Sequence, residues 1–446
     1  MSPGERLASR TAGLGLIQTR RRRPLRCRVL NGHTARKGGA NLRPKFNAAL
    51  GQVLALCLLL APASWGRVRY KVLHAFGAGS DGQYPAGGLV LGQRGSLYGA
   101  TTGGDIGCKG DGSGGTLFRL APFGTGWREK ILYCFAGQYI DGFPDSGLVA
   151  GPGGSLFGTA AGGPGGLGDV FELMRSGGGW RFGAIYAYEG GCCLAPDRAG
   201  DIYGGMGPGV FGELSPGTSG WTYTDVYAGG PAYDGTWPVA PPSWGNGSNL
   251  YGTMLLGGNV PPKCLGSAGC GVAFQLAHNG DGTWTYNVLY RFAASKTDGY
   301  YPYAGLTVDA SGTAYGLTSA GGKYGNGTFY KLTPTKDGGL WKETILYQFP
   351  NCLDGCVPAF TLVADKAGNL YGSGAGGLDC GGIGCGVIFK LSPQKDGGWI
   401  YSVVHKLNGN DGAFPYGVVL DGRGNIFGAT MQGGKYNLGV AFEITP

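Results

Sequence analysis

Six short phrases in this chain set an acid before a glycine, with a proline close behind: Asp81, Asp141, Asp234, Asp298, Asp354 and Asp411. Carboxylates offered at regular intervals could hold Ca2+, a hard cation that takes oxygen ligands, or could accept hydrogen bonds from a polyhydroxylated ligand. The same residues have a plainer use. An Asp in a turn accepts hydrogen bonds from the turn's own N–H groups, and an acid repeated in almost every unit of a repeat is expected to serve the unit. General acid–base catalysis has thinner support, because it needs two groups of separated pKa in one cleft. His74, His278 and His405 are the histidines of the body of the chain. Two of them, His74 and His405, stand where a Tyr otherwise recurs, and His278 lies in the turn "AHNGDGTW". No Ser/His/Asp order, metal motif or phosphate loop stands out. The residues least dictated by the repeat are Glu189, Cys192 and Cys193.

Of the 12 cysteines, Cys27 and Cys57 fall near the N-terminus. Three local pairs predict disulfides: Cys264 with Cys270, Cys352 with Cys356, and Cys380 with Cys385. Each closes a small loop worth roughly 2 kcal/mol in the chain-entropy model. Their spacings vary and His is scarce, which argues against a cysteine zinc site. Cys108, Cys134, Cys192 and Cys193 are left with their pairing open.

The net charge of +9 does not describe the body of the protein. Twelve Lys and Arg with one acid precede Ser64, leaving a net of −2 beyond it. No basic stripe remains for phosphates, so a nucleic-acid partner is not expected. Basic "RPK" at Arg43, the apolar run from Ala48 to Ala61 and the "APA" that follows read as an export signal cleaved near Ala63. The run is too short to span a bilayer comfortably. A leader over residues 1–63, with its signal at about 43–63, thus precedes one domain over 64–446.

These side chains need a scaffold, and the scaffold is a repeat. Aligning the Gly of "LYG" gives Gly99, Gly158, Gly204, Gly252, Gly316, Gly372 and Gly428, a spacing of about 55 residues. Each copy runs in one order. An apolar "GL-V" segment turns into "LYG-T", a "GG" loop of variable length follows, then an alternating strand such as "GVIFKLSP", and last a Trp-led strand such as "WKETILYQF". Alternation over five to seven positions bounded by Gly, Pro and Asp predicts four short antiparallel strands. The recurring aromatics of "LYG" and the strand-leading tryptophans read as packing between sheets. The Gly of "LYG" reads as a site of close approach.

A sheet of this size with two apolar faces must stack on copies of itself, and radial stacking buries both faces. The first recognisable segment, "RYKVLHAF", matches fourth strands, while the last copy ends after its third. This predicts an all-β, seven-bladed β-propeller of four-stranded antiparallel blades, closed by an N-terminal strand that completes the last blade.

The phrase order "DG-P-GLV-D--GNLYGTT-GG---G-VFKLTP" resembles the GloVer tandem-repeat proteins of bacteria, over roughly Tyr70 to Pro446. The third copy departs from it, lacking the Asp-Gly step. The resemblance implies an extracytoplasmic propeller and brings no activity with it. Relatives often end in a sorting anchor that is not matched here, which implies free secretion or periplasmic residence. The expectation is a secreted, monomeric, non-catalytic binding or interaction module for an extracellular glycan or protein, with Ca2+ as a candidate ion. A lyase or hydrolase acting at the propeller channel is the alternative.

Overall fold

The computed structural model describes residues 68–446 apart from 78–80, 105–113, 138–139, 164–167, 189–191, 208, 230–233, 260–263, 265–267, 294, 296 and 381–383. The export signal, Cys108 and Glu189 lie outside the described residues, as does the side chain of Cys192.

Seven antiparallel sheets, mainly of four strands, stand in a ring as a seven-bladed propeller. In blade 1 the second, third and outermost strands are Leu97–Gly103, Thr116–Phe123 and Gly126–Cys134. The innermost strand comes in two pieces, Gln83–Pro85 and Val90–Leu91, both paired with the second strand. It therefore begins straight after the Asp81-Gly82 step, earlier than the "GL-V" phrase suggests. Its break falls at Gly87 and Gly88, where strands of different blades meet around the axis: a Cβ on Gly87 would lie 2.5 Å from the Gly147 nitrogen.

The ring closes as the sequence predicts. Arg69–Ala75 pairs antiparallel with Val440–Thr445, so the sheet of blade 7 runs from this N-terminal strand through the third and second strands to the innermost strand Ala413–Leu420. Phe76, just past the closing strand, is fully buried and packs on Phe118 of blade 1 at 5.0 Å between ring centroids. Removing a large aromatic of this kind from water contributes about 1.5–3 kcal/mol.

Sequence alternation decides which face each residue serves, and one irregularity redirects it. A β-bulge interrupts the outermost strand at the same place, for example between Val72 and His74 and at the Leu117/Phe118 pairing of blade 1. A bulge inserts an extra residue and inverts the faces beyond it. The residue two places after the leading Trp therefore meets one neighbouring blade, and the residue six places after it meets the other. Tyr133 of blade 1 stacks on Phe182 of blade 2 at 4.0 Å, and Tyr227 of blade 3 on Tyr286 of blade 4 at 4.0 Å. Interblade packing of the tryptophans follows the same logic, as with Tyr98 and Trp180 at 5.7 Å.

The Gly of "LYG" is crowded from within its own blade. A Cβ on Gly428 would lie 2.5 Å from Cζ of Phe442, the third-strand residue directly across the sheet.

Candidate ligand-binding collar and groove

The "GG" loops and the connections carrying the six Asp residues share one end of the ring. Gly104 of the first "GG" loop, for instance, lies against Gln83. The structure places each Asp where one blade's outermost strand hands over to the next blade's innermost strand; Asp81, Asp141, Asp298 and Asp411 are bonded locally, while Asp234 and Asp354 reach the following blade's outermost strand. Asp141 accepts hydrogen bonds from the Tyr133 hydroxyl at 2.5 Å and the Ala136 N–H at 2.6 Å. Asp411 takes the Asn408 N–H and lies 2.8 Å from His405 Nε2. Asp81 takes the Gly77 N–H and lies 3.0 Å from His74 Nε2. The Asp298 carboxylate is fully buried and accepts from the Tyr290 hydroxyl at 2.9 Å. Asp354 pairs with Lys406 at 2.7 Å, and Asp234 lies 3.5 Å from Arg291.

The rest of the Asp-Gly-X-X-Pro phrase explains its recurrence. In blade 5 the Tyr301 N–H donates to the carbonyl of Cys270 in blade 4, and Pro302 packs on Gly271, where a Cβ would come within 2.5 Å. Blade 7 repeats this, with the Phe414 N–H donating to the Cys385 carbonyl and Pro415 covering Gly386. At Tyr84, Tyr301, Val357 and Phe414 the phrase is a latch onto the preceding blade's "GG" loop.

The latch fixes an unusual backbone. The residue before the proline is left-handed in Tyr84 (φ 55°), Trp237 (φ 63°), Tyr301 (φ 59°), Val357 (φ 45°) and Phe414 (φ 58°), and Cys193 of blade 3 is left-handed as well (φ 76°). Bulky and β-branched residues rarely adopt this conformation, which costs of order 1–3 kcal/mol and persists only where the surroundings enforce it. At Tyr84, Tyr301, Val357 and Phe414 the interblade hydrogen bond enforces it. The outcome is a collar of apolar side chains at the loop-bearing end, several held open to water, with Trp237 54% exposed and Tyr84 38%. Sequence reading does not single out these residues, because the position holds Tyr, Trp, Val or Phe, with no Gly or Asn to mark the turn.

At the opposite end a groove of ≈ 890 Å³ runs between blades 3 and 4, lined by Asp197, Asp201, Glu213, Trp244, His278 and Trp284 among others. Trp244 occupies an innermost-strand position that the other blades give to smaller residues, and its indole N–H donates to the Pro196 carbonyl at 2.9 Å. Tyr203 meets Trp244 and Trp284 edge-on, each at 5.3 Å. Burial, then the nearby Glu213, Asp201 and Asp197, push the Tyr203 phenol above its ordinary value. The axial channel is smaller, ≈ 410 Å³. Among its described lining residues the one carboxylate is Asp145, which burial raises while a hydrogen bond from the Thr159 hydroxyl offsets part of the rise.

All three local cysteine pairs are disulfides, with Cα separations of 5.4, 4.7 and 4.9 Å. Cys134 and Cys193 are disulfide-bonded too. These bonds point to an oxidising, extracytoplasmic environment. Among the described residues no helix is long and apolar enough to cross a membrane.

Fold, latch and repeat define the protein as a tandem-repeat β-propeller. Residues 263–446 match the model of the Gloeobacter/Verrucomicrobia repeat, within a chain whose blades form a seven-bladed propeller. No curated protein matches it. Among solved structures it is similar to a candidate 6-phosphogluconolactonase from Bacteroides uniformis, at 14% identity and a TM-score of 0.47 over 71% of this chain and 83% of that one. A protein from Lactobacillus plantarum is similar at 12% identity and a TM-score of 0.47, over 76% of this chain and 97% of that one. A candidate oxidoreductase (glucose dehydrogenase) from Thermus thermophilus is similar at 12% identity and a TM-score of 0.40, over 85% and 100% of the two chains.

Proposed function

We propose that this propeller is an exported, non-catalytic binding module that takes an extracellular glycan at the collar of its loop-bearing end. The reading rests on one observation: apolar residues recur there in a left-handed backbone while remaining open to solvent, Trp237 most of all. Strain that is repeated and exposed adds nothing to a core. Aromatic faces ringed by polar loops suit the apolar faces of sugar rings, and the variable "GG" loops would set which glycan is held. The six Asp residues stand beneath this collar, and a Ca2+ contribution to binding belongs to the same proposal.

A glycan array and polysaccharide retention assays on the exported protein test it. Retention of one glycan class, lost in Trp237→Ala and kept in Trp244→Phe, supports the collar. Loss in Trp244→Phe alone moves the site to the groove. Absence of glycan retention, with capture of a defined extracellular protein instead, contradicts the glycan reading.

A further inference from the structure

The interblade contact between the sixth position of one outermost strand and the second position of the next is filled by stacked rings at five junctions. The pairs are Tyr133–Phe182, Tyr186–Tyr223, Tyr227–Tyr286, Tyr347–Tyr401 and His405–Tyr70, with centroids 4.0 to 4.8 Å apart. Two junctions break the pattern with a carboxylate, Glu343 facing Tyr290 and Glu129 facing His74. The second combination brings together an imidazole and two carboxylates from three separately anchored elements: the ring-closing strand, the connection into blade 1 and the outermost strand of blade 1.

His74 Nε2 lies 3.0 Å from Asp81 Oδ2 and 3.7 Å from Glu129 Oε2, and one ligand atom from each residue falls within 4.8 Å of the others. Ligands about 2.0–2.2 Å from a tetrahedral Zn2+ stand roughly 3.3 Å apart, so these spacings need little adjustment. Asp81 has one oxygen fixed by the Gly77 N–H, leaving Oδ2 directed at the cluster. Glu129 Oε1 is buried with no hydrogen-bond partner, a costly state for a carboxylate. Among the described residues no Lys or Arg pairs with either acid; the ion pairs of both run to His74. His74 and Glu129 retain 20% and 13% side-chain exposure, which gives solvent access to a fourth ligand position.

We infer that His74, Asp81 and Glu129 form a site for a divalent transition-metal ion, best matched by Zn2+, that fastens the ring-closing strand to blade 1. One nitrogen and two oxygens suit Zn2+ or its first-row neighbours better than Ca2+, which favours six to eight oxygens. The ion would bridge the one seam in the ring that joins distant parts of the chain.

The test uses untagged, EDTA-stripped full-length exported protein. Calorimetry with ZnCl2, metal analysis and the visible absorption of Co2+ should each report one site per chain, and Zn2+ should raise Tm by an amount that Glu129→Gln removes. The double variant His74→Tyr with Glu129→Tyr rebuilds the Tyr227–Tyr286 stack of another junction, so it should fold without metal and bind none. Glu129→Gln alone should weaken Zn2+ binding at least tenfold. Failure of the stripped protein to bind Zn2+ at about 100-fold molar excess, or equal binding by a folded double variant, overturns the site. So does preferential binding of Ca2+ over Zn2+ that Glu129→Gln removes.

Discussion

The main-chain N–H of Tyr301 in blade 5 donates to the carbonyl of Cys270 in blade 4 at 2.9 Å, and Cys270 is itself tied to Cys264. One covalent staple thereby fixes the carbonyl that holds the next blade's left-handed residue. Cys385 does the same for Phe414, with its staple to Cys380. The disulfides support the collar as much as the loops that carry them.

Replacing Cys264 and Cys270 by Ser should cost roughly 2 kcal/mol in the chain-entropy model. Its signature is local. Hydrogen exchange at the Tyr301 amide should accelerate while exchange at the Phe414 amide stays as in the wild type. Equal acceleration at both would show that the staples act on global stability and not on the collar.

Closure of the ring depends on Phe76, buried at the seam between blades 7 and 1. Phe76→Ala should lose about 3–5 kcal/mol, the usual range for a buried aromatic. Urea unfolding measures this. A loss below about 1 kcal/mol would mean that the seam contributes little.

Glu343 shares the Tyr290 hydroxyl with buried Asp298, at 3.2 and 2.9 Å. Burial, then the charge of Asp298, raise Glu343 well above the ordinary carboxylate range. The native state therefore holds a proton that the unfolded chain releases earlier. That stabilisation is complete below the ordinary Glu pKa and is lost as pH rises through the raised value. Glu343→Gln mimics the protonated form, so its Tm should fall less than the wild type's from pH 5 to pH 9. A shift of about 2–4 °C per kcal/mol sets the scale. Parallel Tm profiles for the two proteins would contradict the account.

Much of the fold was legible because a repeat states it seven times. The blade count, strand order and closure by "RYKVLHAF" all follow from phrases that recur in register. What recurs at fixed residue type was readable; what recurs as conformation was not. Trp237 and Val357 share a left-handed backbone and no chemistry, so nothing in their letters marks the collar. Glu129 and Glu343 were hidden for the opposite reason. They are departures from the repeat, and only the bulge, which turns the sixth position toward the next blade, shows that each faces a neighbour's Tyr or His. The "LYG" glycine was legible as a point of close approach. Its partner across the sheet, as in Gly428 beneath Phe442, came from the strand register.

Because Gly428 lies under that ring, Gly428→Ala should cost about 1–3 kcal/mol by overpacking, and a second change, Phe442→Leu, should recover part of it. Thermal unfolding of the single and double variants checks this. An undisturbed single variant would show that the ring shifts freely.

The most direct test of the binding collar is a paired measurement on Trp237→Gly. Glycine adopts the left-handed backbone without strain, so Tm should hold or rise while affinity for the retained glycan falls at least tenfold. Unchanged affinity, or a fall in Tm that accounts for the lost binding, would contradict the claim that the strained indole is kept exposed for a ligand.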